Sequence, residues 1–140
     1  MKPIILEIEG LNSFEEKQTL NFEELGDGLF GIFGNTGSGK STLLDAITLG
    51  LYGKVERSKQ NIDFINTKKS KAKVVLVFEI YYAGKQRRYQ IERTFSRKKN
   101  GKEADQVAFL YEVEDDGLKM LEEGATKVSD KIFSIIGLGA

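Results

Sequence analysis

Residues 34–41 read Gly34-Asn35-Thr36-Gly37-Ser38-Gly39-Lys40-Ser41 and fit the pattern G-x-x-x-x-G-K-[ST] at every fixed position. Glycines let the backbone wrap closely around phosphate oxygens, and the N–H groups form an anion-binding nest at the positive end of the following helix. The charge of Lys40 suits the β- and γ-phosphates, and the Ser41 hydroxyl suits Mg²⁺, which prefers hard oxygen ligands. The stretch predicts a phosphate-binding loop (P-loop) for ATP and Mg²⁺, with contacts from Asn35, Thr36, Gly37, Ser38, Gly39, Lys40, Ser41 and Thr42.

The segments around the motif favour a strand–loop–helix unit. Residues 28–33 (GLFGIF) are an apolar run typical of a buried strand, and residues 4–9 and 17–22 predict an opening β-hairpin. After Lys40, a helix is indicated up to Gly53 by the spacing of Leu43, Leu44, Ile47 and Leu51. A chance match to the pattern is the alternative, and this setting argues against it.

The second half of the chain predicts strands followed by a helix. Residues 54–73 are polar and are interpreted mainly as a long connection. Residues 74–82 and 86–95 predict a hairpin around Ala83-Gly84, and residues 107–113 predict a further strand. Within the hairpin, one face is predicted to carry Tyr89, Ile91 and Phe95, and the other Arg88 and Glu92.

An amphipathic helix is predicted near the end of the chain. Its apolar positions are Val128, Ile132, Ile135 and Ile136. We expect Thr126 to be its N-cap and Gly137 to end it.

Composition excludes several kinds of site. The chain has no cysteine and no histidine, which excludes disulfides, thiolate metal sites and Ser-His-Asp triads. No apolar run approaches the ~20 residues that cross a bilayer, and the N-terminus lacks the apolar stretch of a signal peptide. We therefore expect an intracellular protein without a membrane partner.

Charge is unevenly distributed although the net charge is zero. Residues 1–53 carry −5, residues 54–102 carry +11 and residues 103–140 carry −6. A basic middle segment is typical either of a surface that faces a polyanion or of a solvated hairpin balanced by acidic neighbours.

The catalytic half of a P-loop ATPase is not evident in the sequence. Hydrolysis needs an acidic residue after an apolar strand to hold Mg²⁺ and orient water. The Asp115-Asp116 pair follows the sequence Tyr-Glu-Val-Glu and lies in a turn with Gly117, so it is a poor candidate. We predict no catalytic residue in this chain and expect it to be inactive in hydrolysis by itself.

The chain closely resembles the N-terminus of the SbcC family, the SMC-like ATPase subunits of a bacterial DNA double-strand-break nuclease. The resemblance covers essentially all 140 residues and rests on the opening hairpin, on FGIFGNTGSGKSTLLDAITLGLYG (30–53) and on VVLVFEIYY with RRYQIERTF. It implies an α/β fold, a P-loop NTPase of the ABC type, in which residues 1–140 form lobe I of the ATPase head. It also implies a cytoplasmic ATPase that acts in DNA repair and recombination as part of an exonuclease complex.

Further parts and partners are implied by the same resemblance. The chain is expected to stop before the Q-loop, the coiled coil and the C-terminal lobe that brings the Walker B acids, the signature motif and a switch histidine. Expected partners are that lobe, an SbcD-like nuclease subunit, a second head in an ATP-dependent dimer, and duplex DNA. Positions that approach the nucleotide or its adenine in related ATPases are matched by Asn12, Ser13, Ile65, Asn66 and Thr67, for which ordinary turn chemistry is the alternative.

The resemblance also gives the basic segment a DNA-binding interpretation, with contacts to phosphates that do not depend on sequence. A solvated hairpin stays open as the alternative. The candidate residues cluster at the two ends of one predicted strand and are Arg87, Arg88, Arg97, Lys98, Lys99 and Lys102.

Two other functions share the P-loop. A P-loop kinase more often begins with its P-loop strand, whereas here a hairpin precedes it. The ATPase subunit of an ABC transporter usually continues into a helical domain rather than through a hairpin such as residues 74–95. Both are disfavoured.

Overall fold

The computed structural model describes residues 1–25, 37–54 and 64–137. The predicted strand over residues 28–33 lies outside this range. The elements, in chain order, are β1 (Lys2–Glu9), β2 (Gln18–Asn21), α1 (Phe22–Leu25), α2 (Gly37–Tyr52), β3 (Lys71–Tyr82), β4 (Lys85–Arg97), β5 (Ala104–Glu114), β6 (Gly117–Glu123) and α3 (Ala125–Ile136).

The described strands form one antiparallel sheet in the order β2-β1-β3-β4-β5-β6. The predicted opening hairpin is confirmed as β1 and β2, which pair from Ile5–Asn21 to Ile8–Gln18. The hairpin of β3 and β4 is confirmed as well, and Ala83 and Gly84 form its turn with φ of 51° and 88°. Positive φ at both central residues is typical of the tight turns that match the twist of paired strands.

The core lies between one face of this sheet and the two longer helices. Strand alternation places every second side chain on that face. Leu6, Leu76, Ile91 and Leu110 illustrate the pattern, because they are neighbours across four strands and all are fully buried. The predicted face with Tyr89, Ile91 and Phe95 is thereby confirmed as the core face.

Helix α2 packs on the sheet through leucines and through the small residues Ala46 and Gly50, and one predicted position is corrected. Leu44, expected on the apolar face, is 64% exposed. Leu43 is buried as predicted, and the packing face also contains Ala46 and Gly50, where an added Cβ would lie 3.3 Å from the Cβ of Leu76. Helix and sheet approach too closely there for a larger side chain.

Helix α3 covers the sheet near β5 and buries Val128, Ile132 and Ile135, as predicted. Gly137 caps its end, since its N–H donates to the carbonyl of Phe133 at 2.9 Å. The predicted N-cap, Thr126, was wrong. The N-cap is Gly124, whose φ of 107° is a conformation that favours glycine where the chain leaves β6.

Candidate functional site

The P-loop helix, α2, begins at Gly37, inside the motif. The first N–H groups of a helix have no partner within it and carry its partial positive charge. The first turn of α2 contains no acidic residue that would compete with an anion. The backbone therefore fits the predicted phosphate-binding role at this point.

Several predicted nucleotide contacts lie outside the described structure. Residues 34–36, which include Asn35 and Thr36, are among them, as are the side chains of residues 37–42. The phosphate contact of Lys40 and the Mg²⁺ contact of Ser41 stay predictions.

The opposite end of the P-loop helix is held by Arg93 of β4. This side chain is fully buried, its Nε donates to the Gly50 carbonyl at 2.8 Å, and its Nη2 donates to the Leu51 carbonyl at 2.8 Å. Burial lowers the pKa of Arg93 to about 10, so the guanidinium stays charged at neutral pH. The helix has no basic residue in its own last turn, and β4 thus supplies the positive charge that its C-terminal end favours.

The remaining carbonyls of the last turn of α2 are also satisfied. The Leu49 carbonyl accepts from the Gly53 N–H at 2.8 Å, and the Tyr52 carbonyl accepts from the Ser129 hydroxyl at 3.0 Å. Gly53 adopts φ of 76°, as is common just after a helix end. Each buried carbonyl left without a donor would cost about 1–3 kcal/mol, so these bonds stabilise the position of the helix.

The same guanidinium connects the P-loop helix to β5 and α3. Nη1 of Arg93 donates to Gln106 Oε1 at 2.8 Å, and Nη2 donates to Ser129 Oγ at 3.0 Å. A longer contact of 3.5 Å joins Nη1 to the carbonyl of Ala125. We call Arg93, Gln106, Ser129 and the carbonyls of Gly50, Leu51 and Tyr52 the Arg93 network.

Sequence reasoning missed the Arg93 network, although one signal was present. Arg93 has the same strand parity as Tyr89, Ile91 and Phe95, and an arginine at a core-facing position must find buried partners. Its cross-strand neighbours, Val74 and Ala108, are fully buried beside it. The partners themselves come from distant parts of the chain and could not be read from spacing.

The two segments predicted to approach the nucleotide are in direct contact with each other. The Asn12 N–H donates to the Phe64 carbonyl at 2.7 Å, and the Asn66 N–H donates to the Gly10 carbonyl at 2.8 Å. The side-chain amide of Asn66 also donates to the Asn12 carbonyl at 2.7 Å. The two segments therefore form one surface.

The side chains of this surface differ in accessibility. Ser13 and Thr67 are exposed, whereas Ile65 is only 3% exposed and packs in the core. Adenine contact by Ile65 would thus use its backbone. Nucleotide contact by Asn12, Ser13, Ile65, Asn66 and Thr67 stays a prediction.

Comparison with known proteins assigns the chain to a family. Residues 6–137 match the model of the AAA domain. The chain belongs to the AAA domain family. As an AAA domain with an antiparallel sheet and a P-loop helix, it is a P-loop NTPase of mixed α/β structure.

Relatives of this AAA domain confirm the resemblance to SbcC. It is 49% identical to the SbcC component of nuclease SbcCD from Clostridium acetobutylicum and 42% identical to that from Bacillus subtilis, in each case over 99% of this chain and 12% of the relative. It is also 30% identical, over 99% of this chain and 13% of the relative, to an Aquifex aeolicus protein named "Probable DNA double-strand break repair Rad50 ATPase". The chain thus spans about one eighth of the length of these relatives.

The six candidate DNA-binding residues fall into two separate groups at the ends of β4. About 30 Å separates Arg87 from Arg97 along a strand of this length. At the first end, Arg87 pairs with Glu112 at 3.1 Å and Arg88 pairs with Glu79 at 2.9 Å. These two arginines are therefore largely neutralised by acidic neighbours.

At the other end of β4, Arg97 has a structural role. Its guanidinium donates to the carbonyls of Ile65, Asn66 and Lys69 at 3.0, 3.2 and 3.1 Å. It thereby anchors the segment that contacts Asn12.

The charged turn beyond β4 contains the most accessible cations of the six DNA candidates. Lys98 pairs with Glu103 at 3.3 Å and with Asp105 at 3.6 Å, and the hydrogen bond to Glu103 raises the pKa of Lys98. Lys99 and Lys102 are exposed on the same turn. DNA contact by the six candidates stays a prediction.

The described residues show neither a cluster of metal-ligating side chains nor a membrane span. Within residues 1–25, 37–54 and 64–137, no three histidine, cysteine or acidic side chains are grouped so that they could hold a metal ion. No helix in these ranges is long and apolar enough to cross a bilayer.

Proposed function

We propose that the chain is the N-terminal ATP-binding lobe of an ABC-type ATPase head like that of SbcC. The observation that carries the proposal is a helix that begins inside the P-loop motif and is anchored by the sheet at its other end. The phosphates of ATP would lie against the backbone N–H groups at the start of α2. Lys40 would bind the β- and γ-phosphates, and the Ser41 hydroxyl would bind Mg²⁺.

The complete protein, in this proposal, is a cytoplasmic ATPase that acts with an SbcD-like nuclease subunit on DNA double-strand breaks. Support comes from relatives whose names specify a component of the SbcCD nuclease and a DNA double-strand break repair ATPase. The Walker B acids and signature motif would come from a C-terminal lobe of the same protein. ATP bound between two such heads would hold them together as a dimer.

The names of the relatives do not favour a P-loop kinase or the ATPase subunit of a transporter as the function of this chain. The long β3–β4 hairpin that follows the P-loop helix also differs from the helical continuation expected for a transport ATPase.

Nucleotide binding is tested by calorimetry with Mg-ADP on wild type, Lys40→Ala and Lys54→Ala. Lys54 is the matched control because it is exposed just beyond the opposite end of the P-loop helix. We expect Lys40→Ala to weaken binding at least 100-fold, about 2.7 kcal/mol, without lowering the melting temperature. Lys54→Ala should bind as wild type does. Equal affinities for Lys40→Ala and wild type would contradict the proposal.

We further propose that duplex DNA contacts the exposed lysines of the turn after β4, Lys99 and Lys102. They are better placed than Arg87, Arg88, Arg97 and Lys98, which are engaged with carboxylates or carbonyls. Lys119 on β6 and Lys127 on α3 are exposed lysines elsewhere and supply a charge-matched control pair.

A further inference from the structure

The two ends of the P-loop helix would contact opposite charges, phosphates at the first end and the Arg93 guanidinium at the other. The N-terminal end of α2 lies in the motif that would receive phosphates, and the buried guanidinium of Arg93 lies at its C-terminal end. A helix of 16 residues separates them, which is a length of about 24 Å. Arg93 therefore acts on the nucleotide site through the position of the helix and does not touch the nucleotide.

The hydrogen bonds of Arg93 define that position closely. Its planar fork contacts two successive carbonyls, those of Gly50 and Leu51, and a shift of the helix along its axis would break both bonds. Such a fork is rigid and cannot be replaced by the single ammonium of lysine. Gly53 leaves no free space on this side, since an added Cβ would lie 2.9 Å from Nη1 of Arg93.

Ser129 extends the connection to α3. Its hydroxyl accepts from Arg93 and donates to the carbonyl of Tyr52, so one side chain joins the first turns of α3 to the last turn of α2. The rings of Tyr52 and Phe133, with centroids 4.9 Å apart, add a second contact between the same helices. Helix α3 therefore cannot move away from the sheet without disturbing the end of the P-loop helix.

We infer that Arg93 is a positioning residue of the nucleotide site and that Ser129 couples the occupancy of the P-loop to the position of α3. The inference rests on the proposed nucleotide binding. Nucleotide at one end of α2 rigidifies the helix, and the Arg93 network carries that ordering to α3. Coupling of this kind is reciprocal, so loosening α3 must weaken nucleotide binding by the same factor.

The chain contains a matched pair of serines for the test. Ser129→Ala removes the hydrogen bonds of Ser129 to Arg93 and to the Tyr52 carbonyl but leaves the bonds from Arg93 to Gly50 and Leu51. Ser134→Ala is the control, because within residues 1–25, 37–54 and 64–137 the Ser134 hydroxyl bonds only to the carbonyl of Asp130 in α3, at 3.3 Å. Arg93→Lys keeps the positive charge but removes the planar guanidinium that binds the carbonyls of Gly50 and Leu51.

The experiment measures Mg-ADP affinity and amide hydrogen exchange of the full-length protein, with and without Mg-ADP. In wild type and Ser134→Ala, nucleotide should slow exchange in both α2 and α3. In Ser129→Ala, nucleotide should slow amide exchange in α2 only. The affinity for Mg-ADP should fall up to about 5-fold, which is the equivalent of one hydrogen bond. Arg93→Lys should weaken affinity about tenfold or more while the melting curve still shows a cooperative fold.

The results separate the two proposals. If wild type binds no Mg-ADP, the proposed function fails and the inference fails with it. If wild type binds Mg-ADP but Ser129→Ala and Ser134→Ala give the same affinity and the same protection of α3, the coupling is refuted and the nucleotide site stands. Wild-type affinity in Arg93→Lys would refute the positioning role of the fork.

Discussion

Gly53→Ala is the substitution that tests most directly whether the Arg93 network is rigid. Gly53 follows the P-loop helix with φ of 76°, and its N–H satisfies the Leu49 carbonyl. A Cβ at this position would clash with Gln106 Oε1 and lie 2.9 Å from Arg93 Nη1. The methyl group would therefore displace Gln106 from the guanidinium.

The loss of unfolding free energy in Gly53→Ala has two parts. A side chain at this positive φ costs about 1–2 kcal/mol. Loss of the hydrogen bond from Arg93 to Gln106, which involves a charged donor, costs about 1.5–3 kcal/mol. Together these two parts should lower the free energy of unfolding by about 2.5–5 kcal/mol.

Gly84→Ala separates these two parts. Gly84 has φ of 88° in the β3–β4 turn, and nothing lies within 4 Å of an added Cβ. It should therefore cost only the backbone part, about 1–2 kcal/mol. The difference of about 2 kcal/mol between the variants corresponds to about 1 M in the urea midpoint.

Urea unfolding followed by circular dichroism measures both variants in parallel. A further test places Gly53→Ala in a Gln106→Ala background, where the clash with Gln106 is absent and the additional loss of stability should be smaller than in the wild-type background. Equal losses for Gly53→Ala and Gly84→Ala in the wild-type background would refute the reasoning, because Gln106 would then move aside without cost.

Three other predictions concern the nucleotide, the segment of residues 65–69 and DNA. Ser41→Ala should weaken nucleotide binding in Mg²⁺ and leave binding in EDTA unchanged; calorimetry in both buffers checks this, and an equal loss would exclude Ser41 as a Mg²⁺ ligand. Arg97→Ala should speed amide exchange at Asn66, whose carbonyl Arg97 holds, by at least tenfold; unchanged exchange would show that Arg97 does not anchor the segment. Lys99→Ala with Lys102→Ala in the full head should reduce the slope of log affinity for duplex DNA against log salt by about 1.8. The control pair on β6 and α3 should leave that slope unchanged, and equal slopes for both pairs would place the DNA surface elsewhere.

The sequence by itself determined the P-loop motif, the β1–β2 and β3–β4 hairpins and the two main helices. Their signals are local: fixed motif spacing at residues 34–41, an apolar run at residues 74–82 followed by period-two alternation in residues 86–95, and helical spacing from Val128 to Ile135. Such local patterns can be interpreted without knowledge of the rest of the fold, because they reflect which face of each element must be buried.

Only the tertiary structure decided what each polar side chain does. Arg93 and Arg97 lie four residues apart on one strand, yet one closes the end of the P-loop helix and the other anchors residues 65–69. Leu44 is exposed because the face of α2 that packs on the sheet is the one with Leu43, Ala46 and Gly50. The carbonyls that Arg93 and Arg97 bind lie 28 to 43 residues away in sequence, and they meet these arginines only when the sheet and helices pack.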